Sequence, residues 1–173
     1  MKKTLILIGI ILSGVGVDQL TKILVLKNMS LHESFAVIPK VFNITYIQNR
    51  GAAFGMLANH RWVFMIISTI AIIGMAVYLF RFCNDGLFFK VGLSLVISGG
   101  IGNMIDRVAY GYVVDMLEAT FIETLFDWSF AIFNVADSFV CVGAGIVIFC
   151  LIRDIIKETK DNKKKKESKN ENK

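Results

Sequence analysis

Three aspartates in the second half of the sequence have the chemistry and the spacing of an acid–base site. Asp106 ends one apolar segment, Asp115 lies in a short link, and Asp137 opens the next apolar segment. Two carboxylates brought together at low dielectric cannot both ionise comfortably, so the pair holds a shared proton. One carboxylate can then take a proton from water while the other protonates a carbonyl oxygen or a leaving amine. Such a pair hydrolyses amide bonds with neither a metal nor a covalent intermediate.

Amide and guanidinium side chains accompany these aspartates. Asn103, Asp106 and Arg107 are spaced i, i+3 and i+4, so one stripe of a helix carries all three. Asn134 stands three residues before Asp137, which also places the two on one helical face. The amides can hold a scissile backbone, and Arg107 can bind an anionic headgroup or orient a carboxylate. For Asp106, a structural ion pair or cap is favoured over a role as a catalytic acid.

Other hydrolytic chemistries fit the sequence less well. His32 and His60 are the only histidines, neither lies beside a nucleophile, and no HExxH motif is present. Cys83, Cys141 and Cys150 lie in or beside apolar runs and are interpreted as small buried hydrophobic residues. No metal and no cofactor is predicted.

The composition indicates an integral membrane protein. The chain has 173 residues, of which 55% are hydrophobic, and Pro39 is the only proline. Its mean hydropathy of +0.62 lies outside the range usual for soluble proteins. The net charge of +5 is concentrated in a C-terminal tail rather than on a binding face, so nucleic acid is not predicted as a partner.

Four apolar runs are long enough to cross a hydrocarbon core of about 30 Å. We predict one membrane domain over residues 1–153, followed by a basic, disordered cytoplasmic tail over 154–173. The predicted spans are about 4–26, 62–82, 88–109 and 131–152.

Two segments between the spans are predicted to lie at the membrane surface. Residues 30–60 are too polar to span, and Phe42–Asn49 partly alternates apolar and polar side chains, which favours a strand or hairpin. Residues 110–130 form a second surface loop. Asp115 follows two β-branched residues in this loop and can be delivered from an extended segment.

Four spans place both termini on the same side of the membrane. Lys2, Lys3, Arg81, Lys90 and the basic tail fall on that side, which the positive-inside rule identifies as the cytoplasm. The aspartates at the span ends therefore converge on the outer face.

Two charged residues interrupt the first span. Asp18 and Lys22 are four residues apart and lie on one helical face. Ionisable residues inside a span usually face protein or a wet cavity. The pattern fits an ion pair within the helix and direct participation in a site equally well.

From these residues alone, three function classes stay open. They are a carboxylate hydrolase, a proton-coupled transporter or channel subunit, and a structural membrane protein. An unpaired carboxylate in a membrane helix, such as Asp137, indicates function by default. The sequence shows no internal repeat, which argues against a transporter built from inverted repeats.

Five short motifs, in this order along the chain, resemble those of the bacterial lipoprotein signal peptidase family, also called type II or prolipoprotein signal peptidase. Any one of them is weak, but together they are specific. They are Asp18–Lys22 (DQLTK), Gln48–Gly55 (QNRGAAFG), Gly99–Arg107 (GGIGNMIDR), Val113–Asp115 (VVD) and Phe133–Ser138 (FNVADS).

The resemblance implies a mainly α membrane protein with four transmembrane helices, a small extracytoplasmic β-cradle (about 30–60) and a loop or helix lid (about 110–130). It implies an aspartyl endopeptidase of the bacterial cell membrane. Such an enzyme removes the signal peptide from diacylglyceryl-modified prolipoproteins by cutting just before the lipidated cysteine. Implied partners are these substrates, membrane lipid and globomycin-type inhibitors.

The resemblance also implies roles for individual residues. The catalytic pair falls on Asp115 and Asp137. Substrate-binding positions fall on Asn49, Asn103, Arg107 and Asn134, and supporting positions fall on Asp18, Lys22 and Asp106.

Overall fold

The computed structural model describes residues 2–51, 61–128 and 130–171. Residues 52–60 of the predicted surface segment lie outside the described residues. In chain order the elements are α1 (Lys2–Asn28), β1 (Ser34–Ile38), β2 (Phe42–Asn49), α2 (Arg61–Val77, followed by a π-helical turn over Tyr78–Phe82), α3 (Leu87–Ala109), β3 (Val113–Glu118), α4 (Thr120–Phe126) and α5 (Val135–Glu171).

Four of these helices are long and apolar enough to cross a membrane: α1, α2 with its π-helical turn, α3 and α5. Many of their apolar side chains point outward; Leu12 is 66% exposed and Ile70 is 65% exposed. Such a surface is stable in lipid, where burial inside the protein is not needed to remove it from water. The predicted mainly α architecture with four spanning helices and a small β-sheet is therefore confirmed.

Helix α3 lies at the centre of the bundle. It packs most extensively against α5 and then against α1, whereas α2 contacts it over a smaller area. A buried apolar cluster joins the three central helices through Leu7 and Ile11 of α1, Leu93 and Ile97 of α3, and Cys150 of α5. This cluster consequently holds α1, α3 and α5 against one another.

Glycines allow α3 and α5 to approach closely. A Cβ atom built at Gly99 would overlap the backbone oxygen of Ala136, and one built at Gly92 would lie 3.0 Å from the backbone oxygen of Gly143. Small residues at helix crossings are the usual device for close packing in membranes. Gly99 therefore sets how near the start of α5 lies to α3.

We expect Gly99→Ala to lower the thermal stability of the protein in detergent. The added methyl group meets backbone rather than a flexible side chain, and overpacking of this kind costs about 1–3 kcal/mol. Gly74→Ala is the matched control, because a Cβ at Gly74 of α2 meets nothing within 4 Å. Thermal unfolding of both variants tests the prediction, and an unchanged melting temperature for Gly99→Ala would contradict it.

A three-stranded antiparallel sheet in the order β1-β2-β3 lies beside the end of α1. Tyr46 of β2 and Val114 and Met116 of β3 pack with Val25 of α1 in a second buried cluster. This cluster anchors β3 to the membrane helices, so β3 is held against the bundle rather than free at the surface.

The register between β2 and β3 places Asn49 of β2 and Asp115 of β3 on the same face of the sheet. Val113 lies opposite Asn49, and Asp115 lies opposite Ile47. Asp115 is thus the diagonal neighbour of Asn49, within reach of its side chain.

The structure differs from two predicted boundaries. The predicted lid loop over residues 110–130 contributes the strand β3 to the sheet and then the short helix α4. Pairing with β2 and the burial of Val114 and Met116 against Val25 of α1 explain the strand. The tail predicted to be disordered from residue 154 is instead a continuation of α5 to Glu171. It is rich in Lys and Glu and contains neither Gly nor Pro, a composition that favours helix.

Candidate active site

Five of the predicted site residues line one cleft of about 480 Å³ between α2, α3, the start of α5 and the sheet. Asp115 is supplied by β3, Asp137 by the first turn of α5, Asn103 and Arg107 by the end of α3, and Asn49 by the end of β2. Much of the remaining wall is apolar and includes Ile72, Met75, Val96, Met104, Ile132 and Val140.

Asp115 is almost completely buried at the sheet side of the cleft, with 1% of its surface exposed. Its two carboxylate oxygens accept hydrogen bonds from the Nδ2 atoms of Asn134 (2.6 Å) and Asn49 (3.0 Å). Burial, and secondarily the negative charge of Asp137, raises the pKa of Asp115 to about 7, although the two amide donors act in the opposite direction. A carboxyl group with this pKa can carry a proton near neutral pH.

Asp137 closes a reciprocal cap at the start of α5. The backbone N–H of Asp137 donates to Oδ1 of Asn134 (2.9 Å), and the backbone N–H of Asn134 donates to Oδ2 of Asp137 (3.1 Å). This is the geometry of a capping box, with Asn134 as the N-cap and Asp137 as the third helical residue. The cap holds the Asp137 carboxylate in one orientation at the cleft.

Two amide side chains connect the two aspartates. Asn134 donates through Nδ2 to Asp115 and is also within 3.0 Å of Oδ1 of Asn103. Asn103 in turn donates through Nδ2 to Oδ1 of Asp137 (2.7 Å). The carboxylates thus belong to one hydrogen-bonded network that runs Asp115–Asn134–Asn103–Asp137. Asn134 is fully buried and acts from behind the cleft.

Arg107 lines the cleft and links α3 to the chain after β2. Its guanidinium donates to the backbone oxygen of Asn103 (3.2 Å) and to that of Gly51 (3.5 Å). The backbone N–H of Gly51 donates to Oδ1 of Asn49 (3.0 Å). This arrangement fixes the Asn49 amide with its Nδ2 atom toward Asp115. The substrate-binding roles of Asn49 and Arg107 stay predictions.

The predicted supporting residues form a buried charged cluster below the cleft. Nζ of Lys22 lies 2.9 Å from Oδ2 of Asp18 and 3.0 Å from Oδ2 of Asp106. The side chain of Lys22 is 1% exposed, and both carboxylates are fully buried. Asp106 therefore belongs with the lysine of α1, while Asp115 and Asp137 line the cleft.

Gln19 was not among the residues predicted for the site. Its Nε2 atom lies 2.9 Å from Oδ1 of Asp106 and 3.2 Å from Oδ2 of Asp18, so it joins the same charged cluster. Its position could have predicted this contact, because an uncharged polar residue beside Asp18 within a span is expected to form a hydrogen bond inside the protein.

Among residues 2–51, 61–128 and 130–171 there is no group of three or more His, Cys, Asp or Glu side chains that could hold a metal ion. The charged side chains that line the cleft in those ranges are Arg107, Asp115 and Asp137.

The geometry suits proton transfer between two carboxyl groups and a substrate placed in the cleft. Asp115 can hold a proton near neutral pH, and Asp137 is oriented beside it by the Asn134 cap. Their amide partners leave little freedom of rotation, which is how enzymes preorganise acid–base groups. The apolar walls suit a substrate that is itself membrane-bound.

Comparison with known proteins identifies the family. The family model described as signal peptidase (SPase) II matches residues 10–153 of this chain. The lipoprotein signal peptidase of Streptococcus pneumoniae is 41% identical over 156 residues, which cover 90% of this chain and 98% of that protein. The lipoprotein signal peptidase of Streptococcus thermophilus is 46% identical over 155 residues, with 89% and 96% covered.

A solved structure supports the same assignment. A bacterial membrane enzyme determined by the in meso method at 2.3 Å resolution superposes with a TM-score of 0.79 at 37% identity, covering 86% of this chain and 88% of that one. The resemblance seen in the five sequence motifs is thereby confirmed. This chain belongs to the signal peptidase II family of peptidases.

Proposed function

We propose that this protein is a membrane-embedded aspartyl endopeptidase that removes the signal peptide from diacylglyceryl-modified prolipoproteins. It cuts the peptide bond just before the lipidated cysteine. Membership of the signal peptidase II family supports the reaction class. The observation that carries the mechanism is the hydrogen-bonded network that joins Asp115 to Asp137 at one cleft.

In the proposed reaction, the two aspartates divide the proton transfers between them. Asp137, at the N-terminal end of α5 where the helix dipole stabilises negative charge, takes a proton from the attacking water. Asp115 donates its proton to the carbonyl oxygen as the water oxygen bonds to the carbonyl carbon. As the tetrahedral intermediate collapses, Asp115 takes back a proton from one of its hydroxyl groups, the C=O bond re-forms, the C–N bond breaks, and Asp137 gives its proton to the leaving amine. The products are a new carboxylate on the signal peptide and a free amine on the lipidated cysteine.

The substrate is anchored in the membrane, so the cleft must admit it from the side. Helix α2 contacts α3 over a small area, and the cleft lies between these helices and α5. A signal-peptide helix and acyl chains suit the apolar wall, whereas the scissile bond suits the polar end. Globomycin-type inhibitors are expected to occupy the same cleft.

The orientation in the membrane follows from the distribution of charge. We propose that residues 1–153 form one peptidase domain in the bacterial cell membrane, with both termini in the cytoplasm. Lys2, Lys3, Arg81, Lys90 and the basic end of α5 then face the cytoplasm, and the site lies near the outer face.

Incubation of the purified full chain in detergent with a diacylglyceryl prolipoprotein tests this function. We expect a gel shift to the mature form, and mass spectrometry should show the lipidated cysteine as the new N-terminal residue. The same precursor without its diacylglyceryl group is the control and should stay uncleaved. An intact lipidated precursor, or cleavage at another bond, would contradict the proposal.

The raised pKa of Asp115 predicts the direction of the pH dependence. The reaction needs Asp115 protonated, so kcat/KM should fall as pH rises above about 7, approaching tenfold per pH unit. Initial rates of cleavage at low substrate between pH 6 and 9 measure this limb, and re-assay at pH 7 after each incubation checks that the enzyme stays folded. A constant kcat/KM from pH 7 to 9 would exclude Asp115 as the proton donor.

A further inference from the structure

Lys22 is buried and contacts three polar side chains. These side chains are in turn hydrogen-bonded to Asp137 or to the residues that precede Asp115 and Asp137. An ammonium group has three donors. Here they are directed at Oδ2 of Asp18 (2.9 Å), Oδ2 of Asp106 (3.0 Å) and Oδ1 of Asn103 (3.0 Å). These partners come from α1 and from two successive turns of α3.

Both carboxylates held by Lys22 also accept a backbone N–H. Oδ1 of Asp18 accepts the N–H of Ala136 (2.9 Å), and Oδ2 of Asp106 accepts the N–H of Val114 (3.0 Å). Ala136 immediately precedes Asp137, and Val114 immediately precedes Asp115. Ala136 and Val114 are both fully buried.

The third contact of Lys22 reaches the reacting groups through a side chain. Asn103 accepts from Lys22 at Oδ1, which turns its Nδ2 atom toward Asp137. An amide with its oxygen and nitrogen exchanged would present its donor to the ammonium group instead. The positive charge of Lys22 thus selects the amide orientation that serves the cleft.

We propose that Lys22 is a positioning residue that sets the relative placement of Asp115 and Asp137. Asp115 lies on β3 and Asp137 on α5, with α4 between them in the chain. Through Asp18 and Asp106, Lys22 holds the backbone N–H groups of Ala136 and Val114, each of which lies one residue before an aspartate of the cleft. This inference rests on the proposed function, because it assigns Lys22 a part in the same proton transfers.

Gln19 and Gly102 fit the same arrangement. Gln19 bridges the two carboxylates from α1 and also contacts the backbone oxygen of Gly102 (3.1 Å). A Cβ atom at Gly102 would overlap Oδ2 of Asp18. The absence of a side chain at Gly102 of α3 therefore leaves the space that the Asp18 carboxylate occupies.

Steady-state cleavage of a diacylglyceryl prolipoprotein by Lys22→Met tests the inference. We expect kcat per folded enzyme to fall about 100-fold, the loss that small misplacement of reacting groups produces, with KM within about threefold of the unsubstituted protein. Lys27→Met is the matched control, since Lys27 is exposed on the same helix, and it should retain full activity. A structural role alone would reduce the folded fraction and leave kcat per folded enzyme unchanged.

A second variant, Gln19→Leu, keeps the ion pairs of Lys22 with Asp18 and Asp106. It removes the bridge between Asp18 and Asp106, so kcat should fall about tenfold at unchanged KM even if Lys22→Met does not fold. A kcat within twofold of the unsubstituted protein for either folded variant would overturn the inference. If the unsubstituted protein does not cleave the precursor, both the proposed function and this inference are wrong. Cleavage by the unsubstituted protein and by a folded Lys22→Met variant at equal rates removes only the role of Lys22.

Discussion

Replacing either aspartate of the cleft by asparagine should abolish cleavage of a diacylglyceryl prolipoprotein. Asp115→Asn removes the proposed proton donor and Asp137→Asn removes the proposed acceptor, and each kind of acid–base catalysis contributes about 10²- to 10⁴-fold. Because the two groups act on the same proton transfers, we expect a loss of about 1,000-fold or more in kcat for each single variant. The double variant should be little worse than either, since groups that act as a unit are not additive.

A matched control separates catalysis from charge. Asp154→Asn makes the same chemical change at a carboxylate that is 52% exposed on α5 and paired with Arg153. It should cleave at the rate of the unsubstituted protein. Full cleavage by a folded Asp115→Asn or Asp137→Asn variant would refute the assigned pair.

The same raised pKa predicts how the stability of Asp115→Asn relative to the unsubstituted protein depends on pH. The pKa of Asp115 is about 7 in the folded protein and 3.8 as its ordinary value. The folded state therefore keeps a proton that the unfolded state loses between these values. The contribution of Asp115 to the free energy of unfolding is present in full below the ordinary pKa of 3.8 and is lost as pH rises through about 7. Asparagine does not titrate, so the melting temperature of Asp115→Asn relative to the unsubstituted protein should rise from pH 5 to pH 8.

The sequence was sufficient for the spans because they depend on composition. Runs of apolar residues about 20 long predict membrane helices directly, and the observed helices α1, α2, α3 and α5 correspond to the four predicted spans. Three of the five motifs identified the family for a related reason, since Asp18–Lys22, Gly99–Arg107 and Phe133–Ser138 place polar residues within spans or at their ends, where the membrane would otherwise exclude them.

The features that could not be predicted from the sequence depend on contacts between distant residues. The strand β3 takes its structure from pairing with β2 and from burial against Val25 and Tyr46, neither of which is visible in the segment itself. The extent of α5 was underestimated because high charge was interpreted as disorder. The hydrogen bonds from Val114 and Ala136 to the Lys22 cluster involve backbone donors, which carry no sequence signal.

The Asn134–Asp137 pair was a local pattern that the sequence did display. An asparagine followed three residues later by a carboxylate, just before an apolar run, has the form of a capping box. The spacing of three residues predicts that both lie on one helical face and therefore close together. The structure adds that Asn134 precedes the helix as its cap, which leaves its amide nitrogen available to Asp115.

Two substitutions of Asn134 should separate its cap from its amide. Asn134→Ser keeps a good N-cap but removes the Nδ2 donor to Asp115 and Asn103, while Asn134→Ala removes both functions. Since a hydrogen bond to a charged or buried acid–base group contributes about 1.5–3 kcal/mol, we expect kcat to fall about 10- to 100-fold in both variants. Only Asn134→Ala should also lose about 1 kcal/mol of stability from the missing cap.

Steady-state cleavage combined with thermal unfolding of the two Asn134 variants measures these effects separately. Without the Asn134 donor, the pKa of Asp115 should rise further, because this hydrogen bond favours the ionised form. The alkaline limb of kcat/KM should accordingly move to higher pH in Asn134→Ser. A Ser variant with full kcat and an unshifted limb would show that the bridge between the aspartates is dispensable, and that the acid–base pair is organised by Asn49 and Asn103 alone.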